Sequence, residues 1–139
     1  MPCMPDAFHL HLMITCALAG LVWTVQVAVY PLFDRVGVDA FKAWHAAYTT
    51  CIGWVVGPMM LAELGSGVWL FWTGRREMSF SISLALLTLV WLSTAFVQVP
   101  LHQCLARGFD AVAHQRLVTT NWLRTAAWTL RVIGLLFCL

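Results

Sequence analysis

The chain has 139 residues, 61% of them hydrophobic and 10% charged, with a formal net charge of +2 and a mean hydropathy of +0.81. Soluble domains carry about 45–50% apolar and about 25% charged residues, and one this small has too little interior to hide the excess. The composition excludes a soluble enzyme and a disordered chain, and the absence of a basic block excludes a nucleic-acid-binding domain.

The first six residues, Met1 to Asp6, lack the basic stretch of a secretory signal peptide, and the apolar run behind them is followed by three more. That run therefore reads as a retained membrane helix. A bilayer core of ~30 Å requires about 20 apolar residues per helix. Four segments reach that length: Ala7 to Tyr30, ending at Pro31; Ala47 to Trp72, with an earlier start near Val38; Met78 to Val99, ending at Pro100; and Ala113 to Leu139. The predicted fold is all-α, a four-helix transmembrane bundle that forms a single integral membrane domain over residues 1–139.

Gly57-Pro58 lies inside the second segment and predicts a kink, because proline removes a backbone hydrogen bond. Thr73 to Glu77 is a short polar hairpin, whereas Pro31 to Ala40 and Pro100 to Val112 are longer connections. Trp44, Trp69, Trp72 and Trp122 fall near segment ends, where an indole bridges lipid and water. Arg35, Lys42, Arg107 and Arg116 on the long-connection side outnumber Arg75 and Arg76 in the hairpin, which places the long connections in the cytoplasm. Helix contacts are expected at small residues, with Ala17-Leu18-Ala19-Gly20 and Gly65-Ser66-Gly67 as candidates. The five cysteines, Cys3, Cys16, Cys51, Cys104 and Cys138, contain no CxxC pair and read as small buried apolar residues.

The two halves resemble each other around the long connections. Val25-Gln26-Val27 matches Val97-Gln98-Val99, Pro31-Leu32 matches Pro100-Leu101, and His45 matches His114, at offsets drifting between 69 and 72 residues. Two tandem helical hairpins would give this pattern, related by an axis along the membrane normal. Chance matching in an apolar chain is the competing explanation.

Ionisable residues inside a span are costly and are functional candidates by default. Glu63 lies nine residues before Trp72 and Arg131 eight before Leu139. At 1.5 Å per residue both sit ~12–14 Å from the same end of the bundle. They are predicted to form one buried ion pair. Its structural role would be to fix helix pairing; its functional role would make Glu63 a proton-handling or ligand residue.

A second polar layer, toward the other end, contains Gln26, Tyr30, His45, Tyr48, Gln98, His102, His114, Asn121 and Arg124. His114, Asn121, Arg124, Trp128 and Arg131 share one helical face. His45, His102 and His114 come from different segments, and histidine is the usual ligand of transition metals and haem iron. The competing reading places them at the water interface, bonded to loop backbone. His9 and His11 lie at the opposite end and are left out of the site. No GxGxxG, P-loop, nucleophile-elbow or HExxH motif occurs.

Tyr30-Pro31-Leu32-Phe33, Trp44-His45, Pro58 and Glu63, followed by Pro100-Leu101-His102 and Asn121-Trp122-Leu123-Arg124, resemble small four-helix bacterial membrane proteins distantly similar to the anthrone oxygenase-like family. The resemblance covers most of the chain through short motifs. It implies oxidation of a lipophilic small molecule in a bacterial inner membrane and leaves the cofactor open.

His45, His102, His114, Asn121 and Arg124 are expected to line one pocket, open toward the long connections and closed below by Glu63 and Arg131. The three histidines would act as acid–base groups or hold a transition metal or haem, with Tyr30 and Tyr48 steadying their second ring nitrogens; His45 and His114 would be the principal cofactor ligands. Asn121 and Arg124 would orient an anionic or carbonyl oxygen. The alternative is a non-catalytic accessory or structural subunit of a larger membrane complex; a transporter would require a homo-oligomer. The bilayer is a partner in every case, and nucleic acid in none.

Overall fold

The computed structural model describes Met4 to Leu139, with side chains from Ala7 onward; Cys3 lies outside the described residues. The helices are α1 (Met4–Thr24), α2 (Val38–Trp72), α3 (Met78–Ser93), α4 (Val99–Leu105) and α5 (Ala111–Leu136). A π turn, Thr94–Gln98, joins α3 and α4 into one rod, so the architecture is a four-helix bundle, 89% helical, with no strand among the described residues.

Three rods are long and apolar enough to cross a membrane: Ala7–Arg35, Val38–Trp72 and Met78–Leu105. The fourth segment departs from expectation here. Asn121, Arg124 and Arg131, together with a row of threonines, lower the mean hydropathy of α5. These polar residues are tolerable because α5 packs along both α1 and α3, so Asn121, Arg124, Thr125 and Arg131 are buried.

Pro31 and Pro100 do not end their helices as predicted. Proline clashes with the carbonyl four residues back and donates no N–H, and the chain answers by widening one turn. Val25–Val29 and Thr94–Gln98 are both π-helical, and each turn ends two residues before its proline. Tyr30 N–H bonds Val25 O and Val99 N–H bonds Thr94 O, five residues back in each case. Beyond the turn the two copies diverge. The first tightens into a 3-10 segment, Tyr30–Arg35, and the second continues as α4 to Leu105, followed by a turn that ends at Gly108, at φ 148°. α2 runs unbroken through Pro58. Asp110 caps α5, accepting from Ala113 N at 2.7 Å.

The hairpin meets the first turns of α1 and the last residues of the chain at one end of the bundle. The Arg75 guanidinium lies 3.7 Å from the centroid of the Phe8 ring and donates to Cys138 O. At the other end Phe33, Phe41, Leu105, Ala113 and Leu117 form an apolar plug beneath the long connections. The cysteines depart from expectation: Cys16, Cys51 and Cys104 are exposed on the outer surface. In hydrocarbon a thiol gains nothing from burial. Of the small-residue candidates, Gly67 makes a close approach, since a Cβ there would lie 3.0 Å from Leu84 Cδ2 and 3.1 Å from His11 Cε1. Gly20 and Gly65 face open space.

Candidate functional site: a polar-headed cleft between two helices

α2 and the α3–α4 rod barely touch, although α1 and α5 pack closely with their neighbours. The gap is a cleft of about 590 Å³, within the ~300–1,000 Å³ of small-molecule sites. One wall is the α2 face from His45 through Thr49, Gly53, Val56 and Gly57 to Met60; the other runs from Trp91 through Gln98 to His102. Leu18, Val22, Val25, Tyr30, Asn121, Arg124 and Trp128 form the floor. The lips carry Leu61 and Val99, which are 62% and 44% exposed, so the cleft opens sideways through the apolar surface.

The site's polar end is a chain of three side chains. Tyr30 Oη lies 3.0 Å from His102 Nε2, and His102 Nδ1 lies 3.1 Å from His45 Nε2. The π turn carries Tyr30 to this point, and the continuation of the helix past Pro100 carries His102. His45 Nδ1 is buried without a partner. The chain can be written with protons directed either way. If Tyr30 donates to His102, His45 presents an N–H; if His45 donates, it presents a lone pair. Passing protons along the chain interconverts the two, which is what an acid–base relay requires.

Beside it lies a second network. Asn121 Nδ2 donates to Gln26 Oε1 at 2.9 Å, Gln26 Nε2 donates to Val118 O at 3.1 Å, and Arg124 Nη1 donates to Asn121 Oδ1 at 3.2 Å. The Arg124 guanidinium sits 5.2 Å from the Trp128 ring centroid. Arg124 is 8% exposed, its Nε has no partner, and among the described residues no carboxylate pairs with it. Among the described residues, four of the five unpartnered buried side-chain polar atoms belong to residues lining the cleft: His45, Trp91, Gln98 and Arg124. Each such atom costs about 1–3 kcal/mol when nothing occupies it.

His45, His102, Asn121 and Arg124 thus share one cleft, as the helical phase implied, but His114 does not line it. Its Nε2 donates to Tyr30 O at 2.8 Å, and its ring stacks on Phe33. His114 braces the backbone that presents Tyr30. The histidines accordingly form a pair plus an outlier, and both ring nitrogens of His102 are already engaged. Among the described residues no three His, Cys, Asp or Glu side chains converge to hold a metal. Tyr30 does steady a histidine, as expected; Tyr48 stacks on Trp44.

The deeper ion pair forms as its depth predicts: Arg131 Nη1 bonds Glu63 Oε1, with both side chains fully buried. The cleft does not reach it. Trp128 lies between, lining the cleft and donating its indole N–H to Glu63 Oε1 and Oε2 at 3.3 and 3.2 Å. Arg131 Nε donates to Ser83 O and Oγ at 3.0 and 3.2 Å. Its Nη2 donates to His11 Nε2 at 3.4 Å, and His11 Nδ1 then donates to Ser66 Oγ at 2.8 Å. His11, set aside on sequence grounds, is fully buried and belongs to this cluster. It sits seven residues inside the observed helix start at Met4, ~10 Å deep and near the level of the ion pair, whereas the predicted start at Ala7 put it only ~6 Å deep, so the depth argument passed over it.

Comparison with known proteins finds no matching family model, curated protein or solved structure.

Proposed function

We propose that this is a multi-pass protein of a bacterial inner membrane that draws a lipophilic small molecule from the bilayer into the cleft and acts on its oxygen-bearing end. The observation that supports this most is that residues carrying unpartnered buried polar atoms, His45 and Arg124 among them, line one end of a cavity whose walls are mostly apolar. A polar head joined to an apolar body satisfies both surfaces at once. The Tyr30–His102–His45 chain would move a proton to or from the substrate at His45 Nδ1, while Asn121 and Arg124 hold its oxygen. The resemblance of the proline-ended and Asn/Arg-bearing segments to anthrone oxygenase-like proteins points to oxidation as the reaction class. The positive-inside count puts the polar end of the cleft toward the cytoplasm.

The test is purification in mild detergent, followed by mass spectrometry of organic extracts and a visible absorption spectrum with metal analysis. A retained lipophile that is lost in His45→Ala and Arg124→Ala, with helicity unchanged, supports the reading. A Soret band or stoichiometric metal would add a redox cofactor to it. Protein that retains no lipophile and copurifies with a defined set of membrane partners overturns it, in favour of an accessory subunit.

A further inference from the structure

We propose that the ligand of the cleft is a long-chain carboxylate that enters sideways between α2 and α3, sets its carboxylate on Arg124 and lays its chain along the glycine-bared wall of α2. The inference rests on reading the cleft as a lipophile site and adds the ligand's charge, shape and route.

The charge follows from a mismatch inside α5. Arg131 and Arg124 are both buried, but Arg131 has Glu63 against it and Arg124 has no carboxylate among the described residues. A buried cation without an anion is a large electrostatic debt in a membrane interior, where water cannot reach it. Asn121, the Trp128 ring and the Tyr30 hydroxyl engage part of the guanidinium, while Nε makes no hydrogen bond. A carboxylate meets a guanidinium edge through two parallel hydrogen bonds. One cation matches one negative charge, which favours a carboxylate over a phosphomonoester or diphosphate head.

Shape and route follow from the walls. Gly53 and Gly57 lie one turn apart on the α2 wall, and a Cβ at either would meet nothing within 4 Å. Helical glycines in membranes ordinarily admit a neighbouring helix; Gly67 does so, and these two do not. What they leave is room along the cleft, beside Val56, Met60 and Leu18. The exposed lips at Leu61 and Val99 open that room to the acyl-chain region of a bilayer.

Trp91 and Trp128 line the cleft, so bound bromine will quench their fluorescence. The experiment titrates purified full-length protein in dodecyl maltoside with 9,10-dibromostearic acid and with its methyl ester. The ester partitions into the micelle in the same way but carries no charge. The expected result is saturable quenching with the acid at least about tenfold tighter than the ester, the usual scale of one charged hydrogen-bonded contact. Arg124→Gln should bring the acid to the level of the ester, Arg124→Lys should retain a preference, and Gly53→Leu should remove the saturable component for both. Far-UV circular dichroism and thermal unfolding establish that each variant is folded, and the acid–ester comparison in the unaltered protein stands if Arg124→Gln is not. Equal affinity for acid and ester, with Gly53→Leu still abolishing both, overturns the carboxylate assignment and leaves the lipophile site standing. An acid preference that survives in folded Arg124→Gln also overturns it. No saturable quenching by either probe overturns the site and the assignment together.

Discussion

Arg124 and Arg131 are seven residues apart on one face of α5, both buried, and their surroundings are opposite. Around Arg131 each hydrogen bond has a single consistent direction. The guanidinium donates to Glu63, Ser83 and His11, which fixes His11 as an Nε2 acceptor and an Nδ1 donor to Ser66, and Trp128 completes Glu63. Around Arg124 the protons of the Tyr30–His102–His45 chain have two consistent arrangements, and polar atoms remain open. A network with a single solution is suited to holding helices in register. One with two solutions and vacant partners is suited to binding and proton transfer. The closed cluster lies where Gly67 lets the His11 side chain approach α2, and the open one lies where α2 and α3 separate.

The largest effect should come from breaking the closed cluster. Glu63→Leu or Arg131→Met alone should destabilise the bundle by about 3–5 kcal/mol, because the remaining charge stays buried and unpaired. The double variant should lose much less, and equilibrium unfolding in detergent micelles measures all three. Additive losses would show that the pair is not a unit.

Next in size, Gly67→Ala should cost about 1–3 kcal/mol by overpacking against Leu84 and His11. The same unfolding assay applies, and retention of full stability would contradict the close approach.

Arg124→Met provides the sharpest contrast with Arg131→Met. It relieves a buried charge that has no carboxylate partner while giving up the hydrogen bond to Asn121, so ligand-free protein should lose far less stability than Arg131→Met does, or gain some. A loss comparable to that of Arg131→Met would make the two arginines structurally equivalent and dissolve the distinction between the regions.

The smallest expected effect has the opposite sign. Gly53→Ala should stabilise the ligand-free bundle by about 0.5–1 kcal/mol, since alanine is the better helix former and nothing stands in the way of its Cβ. Destabilisation would mean that α2 and α3 close over Gly53.

The parallel between the halves is physical as far as the prolines reach. Each widens the turn before it, at an offset of 69 residues. Gln26 and Gln98 occupy different places in those turns, second and last, and bond different residues of α5. The parallel fails at the interfaces: α1 packs closely on α5, but its counterpart α3 stands away from α2. That failure makes the cleft, and no pairwise match in the sequence carries it.

The sequence by itself determined the helices, because membrane spans are fixed by length and apolarity along one chain. It determined the Glu63–Arg131 pair, because depth from a helix end is simple arithmetic and two buried charges at one depth have strong reason to meet. Helical phase likewise put Asn121, Arg124 and Arg131 on a common inward face. Only the tertiary structure decided which polar groups would be satisfied. Whether His102 shares its nitrogens with Tyr30 and His45, whether His114 turns to a backbone carbonyl, and whether Arg124 stays without an anion all depend on the spacing between helices. That spacing is set by packing summed over whole interfaces, and a one-residue change in a turn beside Pro31 or Pro100 is enough to rotate a side chain into the cleft or out of it.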